Sequence, residues 1–258
     1  MLSKKSLPKI TAHTVIKNED RFIWYALMSV INFVDQIIIY DTGSTDNTIP
    51  IIRTITSAKI ILESHPATTR QQLSALRQQQ LNRTTTPWFM LLDGDEIWPE
   101  KNLHTLLHAA TTADNTTIAF INKTRNCIGD IFHYLPASTG HYHIKGLTGH
   151  LNIRLIKNIP GLKVMGDYPL EAYTLNGQPI QQLKDRIEFV DTWYLHTTHL
   201  PRSTHKSTTS TVIDRLSKRK FWRPSLKLTK SELPSVFWQP HPALVPAPPL
   251  NRWLNWLL

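Results

Sequence analysis

Over its first 120 or so residues the chain switches repeatedly between short apolar runs and stretches with helical spacing. Lys9 to Lys17 reads as a strand. Glu19 to Asn32 carries apolar residues at helical intervals, with Phe22, Ile23, Ala26, Leu27, Val30 and Ile31 on one side. Gln36 to Tyr40 is a β-branched strand. Asn47 to Ile55 reads as a helix capped by Ser44, Thr45 or Asp46. Lys59 to Leu62 returns to strand, Thr69 to Asn82 is a Gln-rich helix, and Trp88 to Leu92 is a continuous apolar strand. Pro99 opens a helix to about Ala110, and Thr117 to Asn122 is again strand. Short strands that lack polar alternation suit a mostly parallel sheet covered by helices on both faces, which predicts an α/β fold. Such sheets bind ligands at the carboxyl ends of their strands, so the residues just after each strand matter most.

The second half has a different texture. Aromatic and β-branched segments are broken by Gly149, by Asn158-Ile159-Pro160-Gly161 and by Asn176-Gly177, which predicts mixed or antiparallel strands added to the first sheet. Ser203 to Lys220 reads as a basic helix, and the chain from Leu233 onward is rich in Pro and Trp. Three divisions are therefore expected: an α/β half over 1–120, mixed strands of the same domain over 121–200, and an extension over 201–258. Clustered prolines in that extension argue against a long amphipathic helix and for a tail folded onto its own domain.

With 41% hydrophobic and 19% charged residues, the chain has the composition of a folded protein. Its one cysteine, Cys127, rules out a disulfide within the chain and reads as a small packing residue. Met1 to Lys9 is too short and too basic for the apolar region of a signal peptide, and no apolar run reaches the ~20 residues of a membrane helix. A cytoplasmic location is expected. The net charge of +10 is uneven: nine Lys or Arg face one acid between Arg202 and Lys230. That block leaves peripheral contact with the inner face of a membrane open, and nucleic acid is the less favoured anionic partner.

Two strand ends carry acids. Asp41-Thr42-Gly43-Ser44 follows Ile37 to Tyr40, and Asp93-Gly94-Asp95-Glu96 follows Phe89 to Leu92. Three carboxylates within four residues repel one another, and a cation or good solvation relieves them. Hard oxygen ligands point to Mg²⁺ or Mn²⁺, which take one or two protein carboxylates plus substrate phosphates. The plain alternative is a solvated turn. Asp41-Thr42-Gly43 also spells an aspartic protease loop, but that chemistry needs two such loops and the chain has one. Gly-x-Gly-x-x-Gly and the phosphate-binding Gly-x-x-x-x-Gly-Lys motif are absent.

Thr14-Val15-Ile16-Lys17-Asn18-Glu19, the loop Asp41 to Asp46, and Trp88 to Pro99 together resemble family 2 glycosyltransferases with the GT-A fold, in particular those of bacterial cell-surface glycans. The resemblance is good over about residues 9–110 and patchy beyond. It implies a metal-dependent, inverting transferase that moves a sugar from a nucleotide-diphosphate donor to a hydroxyl of a glycan or lipid-linked acceptor. Asp41 would meet the nucleobase, Glu19 the ribose with Lys17 beside it, and Arg77 the phosphates. Asp93 and Asp95 match the Asp-x-Asp metal motif, Asp95 being the direct ligand by preference. Gly166 to Tyr173 resembles the segment with the catalytic base, assigned to Glu171 with Asp167 in reserve. Arg154 matches an arginine on the acceptor side. Trp193 to Ser203 resembles the segment whose histidine completes the metal site: His196 first, His199 second, since a strand would point them to opposite faces. A non-catalytic protein that binds nucleic acid or an anionic surface on the same scaffold is the competing reading; the basic stretch favours it and the intact acidic cluster opposes it.

Overall fold

The computed structural model describes residues 7–66, 69–205 and 225–251. The apolar runs form β1 (Ile10–Ile16), β2 (Gln36–Asp41), β3 (Ile60–Ser64) and β4 (Trp88–Leu91). These lie in the order β4-β1-β2-β3 and all run parallel. Their continuous apolar character has a direct cause in β2. Ile37 and Ile39 enter the large core on one face of the sheet, while Ile38 and Tyr40 meet Leu76 on the other. Parallel pairs need crossovers, and α1 (Ile23–Val30), α2 (Thr48–Arg53) and α3 (Arg70–Arg83) supply them.

Two of these helices differ from the spacing-based reading. The expected helix from Glu19 starts only at Ile23. Asn18 takes a left-handed backbone (φ 55°), the amides of Phe22 and Ile23 both donate to the Glu19 carbonyl, and the Glu19 amide donates to Thr48 Oγ1 at 2.7 Å. The turn thus spends the first helical residues on holding Glu19 at the end of β1. α2 is shorter than expected, and its end is served by Asp46, whose Oδ1 accepts from the Thr48 amide at 2.9 Å. α3 is held by polar contacts as much as by burial. Thr69 and Gln72 form a reciprocal capping box. The buried Gln80 amide donates to the carbonyls of Thr14 and Ile38, both at 3.0 Å.

β5 (Glu96–Ile97), α4 (Glu100–Thr112), β6 (Ala119–Ile128) and β7 (Asp130–Tyr134) follow. Next come the hairpin β8 (Tyr142–Ile144) and β9 (Leu147–Gly149), then β10 (Leu151–Lys157). A small antiparallel sheet is formed by β11 (Leu162–Met165), β12 (Ala172–Leu175) and β13 (Gln178–Pro179), followed by β14 (Ile187–His196) and β15 (Leu226–Lys227). β10 inserts antiparallel between β4 and β6, so the second half extends the first sheet. β14 runs parallel to β6 and closes antiparallel on β5, pairing His196 with Glu96. The result is a ten-stranded sheet.

From Leu228 to Val245 the tail returns to the core that contains α1, burying Leu233, Val236 and Phe237, and Tyr25 donates to the Pro246 carbonyl at 3.0 Å. This cover explains why α1 is buried nearly all round. Cys127 is buried, and burial pushes its thiol up. Most of the basic stretch expected to be helical lies at 206–224, outside the described residues, as do the last residues, 252–258. Among the described residues no helix is long and apolar enough to cross a membrane.

Candidate active site

The carboxyl ends of β1, β2 and β4 place their acids along one edge of the sheet. Asp41 closes β2, and its carboxylate accepts from the amides of Gly43 and Ser44 and from the Ser44 hydroxyl. Ser44 Oγ also takes the Asn18 amide at 2.9 Å, and Asn18 Oδ1 takes the Thr45 amide at 2.8 Å. The two loops are thereby locked together, with Lys17 half-buried beside them. Glu19 is joined to the acidic loop by close approach: a Cβ on Gly94 would lie 2.9 Å from Glu19 Cγ and 3.2 Å from Ile16 Cγ2. Glycine between the two aspartates is therefore a requirement of space.

A strap that local patterns did not reveal covers Glu19. Arg202 Nη1 pairs with Glu19 Oε1 at 2.7 Å, Ser203 Oγ donates to Asp46 Oδ2 at 2.5 Å, and the Thr204 amide donates to Asp20 Oδ1 at 2.8 Å. Glu19, expected at the ribose, and Asp46, expected as a helix cap, are thus also anchors of the segment after β14.

The acidic cluster is compensated from within the protein. Arg154 Nη2 donates to Asp93 Oδ2 at 3.0 Å and forms a very short contact with Glu96 Oε1. Arg77 Nη2 lies 3.6 Å from Asp93 Oδ1, and Arg77 Nε lies 3.4 Å from Glu171 Oε1. Repulsion among the carboxylates is therefore relieved largely by two guanidiniums, which narrows the reading that the cluster by itself demands a cation. Burial opposes the charge on Asp93, but Arg154 and Arg77 hold its carboxyl below the usual range. Glu96 has no solvent exposure, and burial pushes it up to about 7 even with Arg154 beside it. Both arginines stay firmly charged. Arg77 and Arg154 were expected at phosphate and acceptor; they face Asp93 from two sides.

Asp95 points elsewhere. It is 1% exposed, and its Oδ1 lies 3.4 Å from His196 Nε2. Burial lowers the His196 pKa, yet Asp95 pulls it above its ordinary value. The Thr197 amide donates to the Asp95 carbonyl at 2.9 Å, fixing the two loops at their backbones as well. β14 ends at His196, so strand alternation does not govern His199; both histidines border one cavity. Among the described residues no group of three or more His, Cys, Asp or Glu converges on one point. Asp95 with His196 is a two-ligand donor set of a kind that suits a divalent ion whose other positions are filled by phosphate oxygens and water.

Glu171 precedes β12 and is largely buried, its side chain 12% exposed. One oxygen faces Arg77, while Oε2 is buried without a hydrogen-bond partner among the described residues. Asp167 is exposed, and Gln71 Nε2 reaches its Oδ2 at 3.4 Å. The geometry brings Glu171 to the cluster and leaves Asp167 at its rim. Sequence reasoning missed the groups that set these positions. Tyr194 OH accepts from Arg154 Nε at 3.1 Å and from Asn152 Nδ2 at 2.8 Å, and shares a hydrogen bond with Thr124 at 3.1 Å. A polar residue two positions before His196 in an aromatic strand was the available signal.

Residues 11–160 match the family described as glycosyl transferase family 2. The chain is 31% identical over 91 residues to a TPR repeat-containing protein of Synechococcus elongatus, covering 35% of this chain and 21% of that one. It is 25% identical over 141 residues to the SPbeta prophage-derived glycosyltransferase SunS of Bacillus subtilis, covering 54% of this chain and 30% of SunS. The matched stretches thus span under a third of those relatives. Among solved structures, S. aureus TarS superposes with a TM-score of 0.50 at 16% identity, covering 73% of this chain and 36% of TarS; this likeness is one of fold. The family match takes in β1, β2, β4 and the acids at their ends, and on it the chain belongs to glycosyl transferase family 2.

Proposed function

We propose that the protein transfers a sugar from a nucleotide-diphosphate donor to a hydroxyl of a glycan or lipid-linked acceptor, with inversion and with Mg²⁺ or Mn²⁺. The observation that carries the reading is what gathers at the acidic cluster: Asp95 paired with His196, and Glu171, whose Oε2 has no hydrogen-bond partner among the described residues, linked to Asp93 through Arg77. The Asp95–His196 pair suits the ion that accompanies a diphosphate, and Glu171 suits a proton transfer.

Asp41, Glu19 and Lys17 line the nucleoside end, where Asp41 and Glu19 offer carboxylate oxygens to donors on base and ribose. Asp95 and His196 would hold the metal, with His199 as the alternative histidine, and the bound ion supplies Lewis-acid neutralisation of the diphosphate leaving group. Asp93 keeps Arg77 and Arg154 in place, so that their charge lies beside the departing phosphates. Glu171 Oε2 accepts the proton of the acceptor hydroxyl as its oxygen attacks the anomeric carbon. The bond from that carbon to the phosphate oxygen breaks, and the electron pair leaves with the diphosphate. A single displacement of this kind inverts the anomeric centre.

The test is release of nucleoside diphosphate from a panel of UDP-, GDP- and dTDP-sugars with Mn²⁺. Glu171→Gln should keep donor affinity and lose roughly 10²- to 10⁴-fold in turnover. Turnover close to wild type would move the base to Asp167 or elsewhere.

A further inference from the structure

A cavity of about 460 Å³ opens beside His196, within the range of roughly 300–1,000 Å³ typical of small-molecule sites. Its walls come from the ends of β6 and β14, from the start of β10 and from the β8–β9 hairpin. None of the assigned donor residues other than His196 and His199 borders it.

Three features describe what it would take. First, among the described residues its lining contains no Lys, Arg, Asp or Glu; the polar groups are amides, hydroxyls and imidazoles such as Asn126, Asn152, Thr198, His141 and His199. Groups of this kind match sugar hydroxyls and offer no lysine or arginine to a phosphate and no carboxylate to an amine; His196, at the edge shared with the acidic cluster, is the one lining group whose charge Asp95 favours. Second, several of these groups are held in place. Asn152 Nδ2 is spent on Tyr194 and Thr124, so its carbonyl remains an acceptor. Asn126 Nδ2 donates to His150 Nδ1 at 3.0 Å, and His150 Nε2 donates to Thr139 Oγ1 at 2.9 Å, whose hydroxyl goes to the Pro136 carbonyl. Third, Tyr142 lines the cavity and is 60% exposed. Its cross-strand neighbour is Gly149, which has no side chain to cover the ring. The hairpin that presents it is fixed at its base, because a Cβ on Gly140 would lie 2.1 Å from the Gly149 carbonyl carbon.

We infer that this cavity is a subsite for the part of the acceptor beyond its reacting hydroxyl and that it binds a neutral sugar ring stacked on Tyr142, with ring hydroxyls on the Asn126 and Asn152 amides. The inference rests on the glycosyl-transfer reading and adds the acceptor's chemical class. An aromatic face suits the C–H side of a pyranose and amides suit its hydroxyls, so the groups offered by Tyr142, Asn126 and Asn152 are those that recognise a neutral saccharide unit.

The test uses the full chain with MgCl₂ and ligand-observed NMR saturation transfer from methyl glycosides of glucose, galactose and mannose, with glucose 1-phosphate observed in the same way and inorganic phosphate added as a competitor. Thermal shift with UDP and GDP runs in parallel. At least one methyl glycoside should bind, Tyr142→Ala should weaken it roughly tenfold, and Tyr142→Phe should retain it, all with nucleotide responses unchanged. Glycoside binding indifferent to Tyr142→Ala overturns the subsite, and preference for glucose 1-phosphate or phosphate overturns the neutral-sugar assignment. Nucleotide binding with no glycoside bound also overturns it and leaves the transfer reading intact. Tyr142-dependent glycoside binding without any nucleotide response removes the transfer reading and, with it, the acceptor role, while the sugar-binding cavity stands.

Discussion

Arg154 is the residue whose removal the structure prices most clearly. Its guanidinium contacts Asp93 and Glu96, donates to Tyr194 OH, and its side chain is 11% exposed. Arg154→Met keeps much of the aliphatic volume and removes the charge. Glu96, with no exposure, is then left without its cation. Breaking a buried ion pair from one side costs about 3–5 kcal/mol. For a chain of this size each kcal/mol moves the melting midpoint by about 2–4 °C, so a fall of roughly 6–20 °C is expected. Most of that cost belongs to the orphaned carboxylate, so adding Glu96→Gln to Arg154→Met should restore about 1–3 kcal/mol. Urea denaturation of the wild type, both single variants and the double variant closes the cycle. An Arg154→Met variant within about 1 kcal/mol of wild type, or a double variant no more stable than Arg154→Met, refutes the claim that the cluster is compensated from within.

Further outcomes follow from the same geometry. Gly94→Ala forces Glu19 away from the acidic loop, so stability should drop by about 1–3 kcal/mol and nucleotide-diphosphate affinity should fall with it; unchanged affinity by calorimetry would separate Glu19 from the site. His13 is buried, stacks on Phe89 with ring centroids 4.7 Å apart, and has its pKa lowered to about 3 by burial and then by Arg77. A histidine whose folded pKa is depressed contributes stability that is present above the unfolded value of 6.5 and is lost as pH falls below it, because only the unfolded chain takes up the proton. Between pH 7 and 5 the stability advantage of wild type over His13→Gln should therefore shrink by about 2 kcal/mol, and a difference that ignores pH would contradict the buried neutral imidazole. Thr69→Ala removes one half of the capping box and should cost about 0.5–2 kcal/mol without touching nucleotide binding, as read by parallel melts with and without ligand.

The parallel half of the fold was legible because its signals are local. Ile37 to Ile39 read as a two-face-buried strand from their own composition, and the acids at the ends of β2 and β4 marked the candidate edge. Pro99 lies one residue outside its helix, a shift that local rules do not resolve. What escaped the sequence depends on long-range pairing. Glu96 is buried because β14 returns to pair with β5, and no neighbour of Glu96 announces this. The insertion of β10 beside β4 carries Arg154 to Asp93, and the strap through Arg202 reaches Glu19 from far along the chain. The acidic cluster invited a metal by its charge alone; the two arginines that neutralise much of that charge come from α3 and β10, so the case for the ion moves to Asp95 and His196.

That shift has a direct consequence. A site with two protein ligands should bind its ion weakly alone and well with a diphosphate, so metal and nucleotide should bind cooperatively. The decisive measurement is thermal shift over a matrix of Mn²⁺ and nucleoside diphosphates for wild type, Asp95→Ala and His196→Ala. At about a hundred times the dissociation constant, the nucleotide with Mn²⁺ should add about 2.7 kcal/mol, equivalent to roughly 5–10 °C. Either component alone should add little, and both substitutions should abolish the joint effect. A nucleotide shift of full size without metal, surviving Asp95→Ala, would contradict the account.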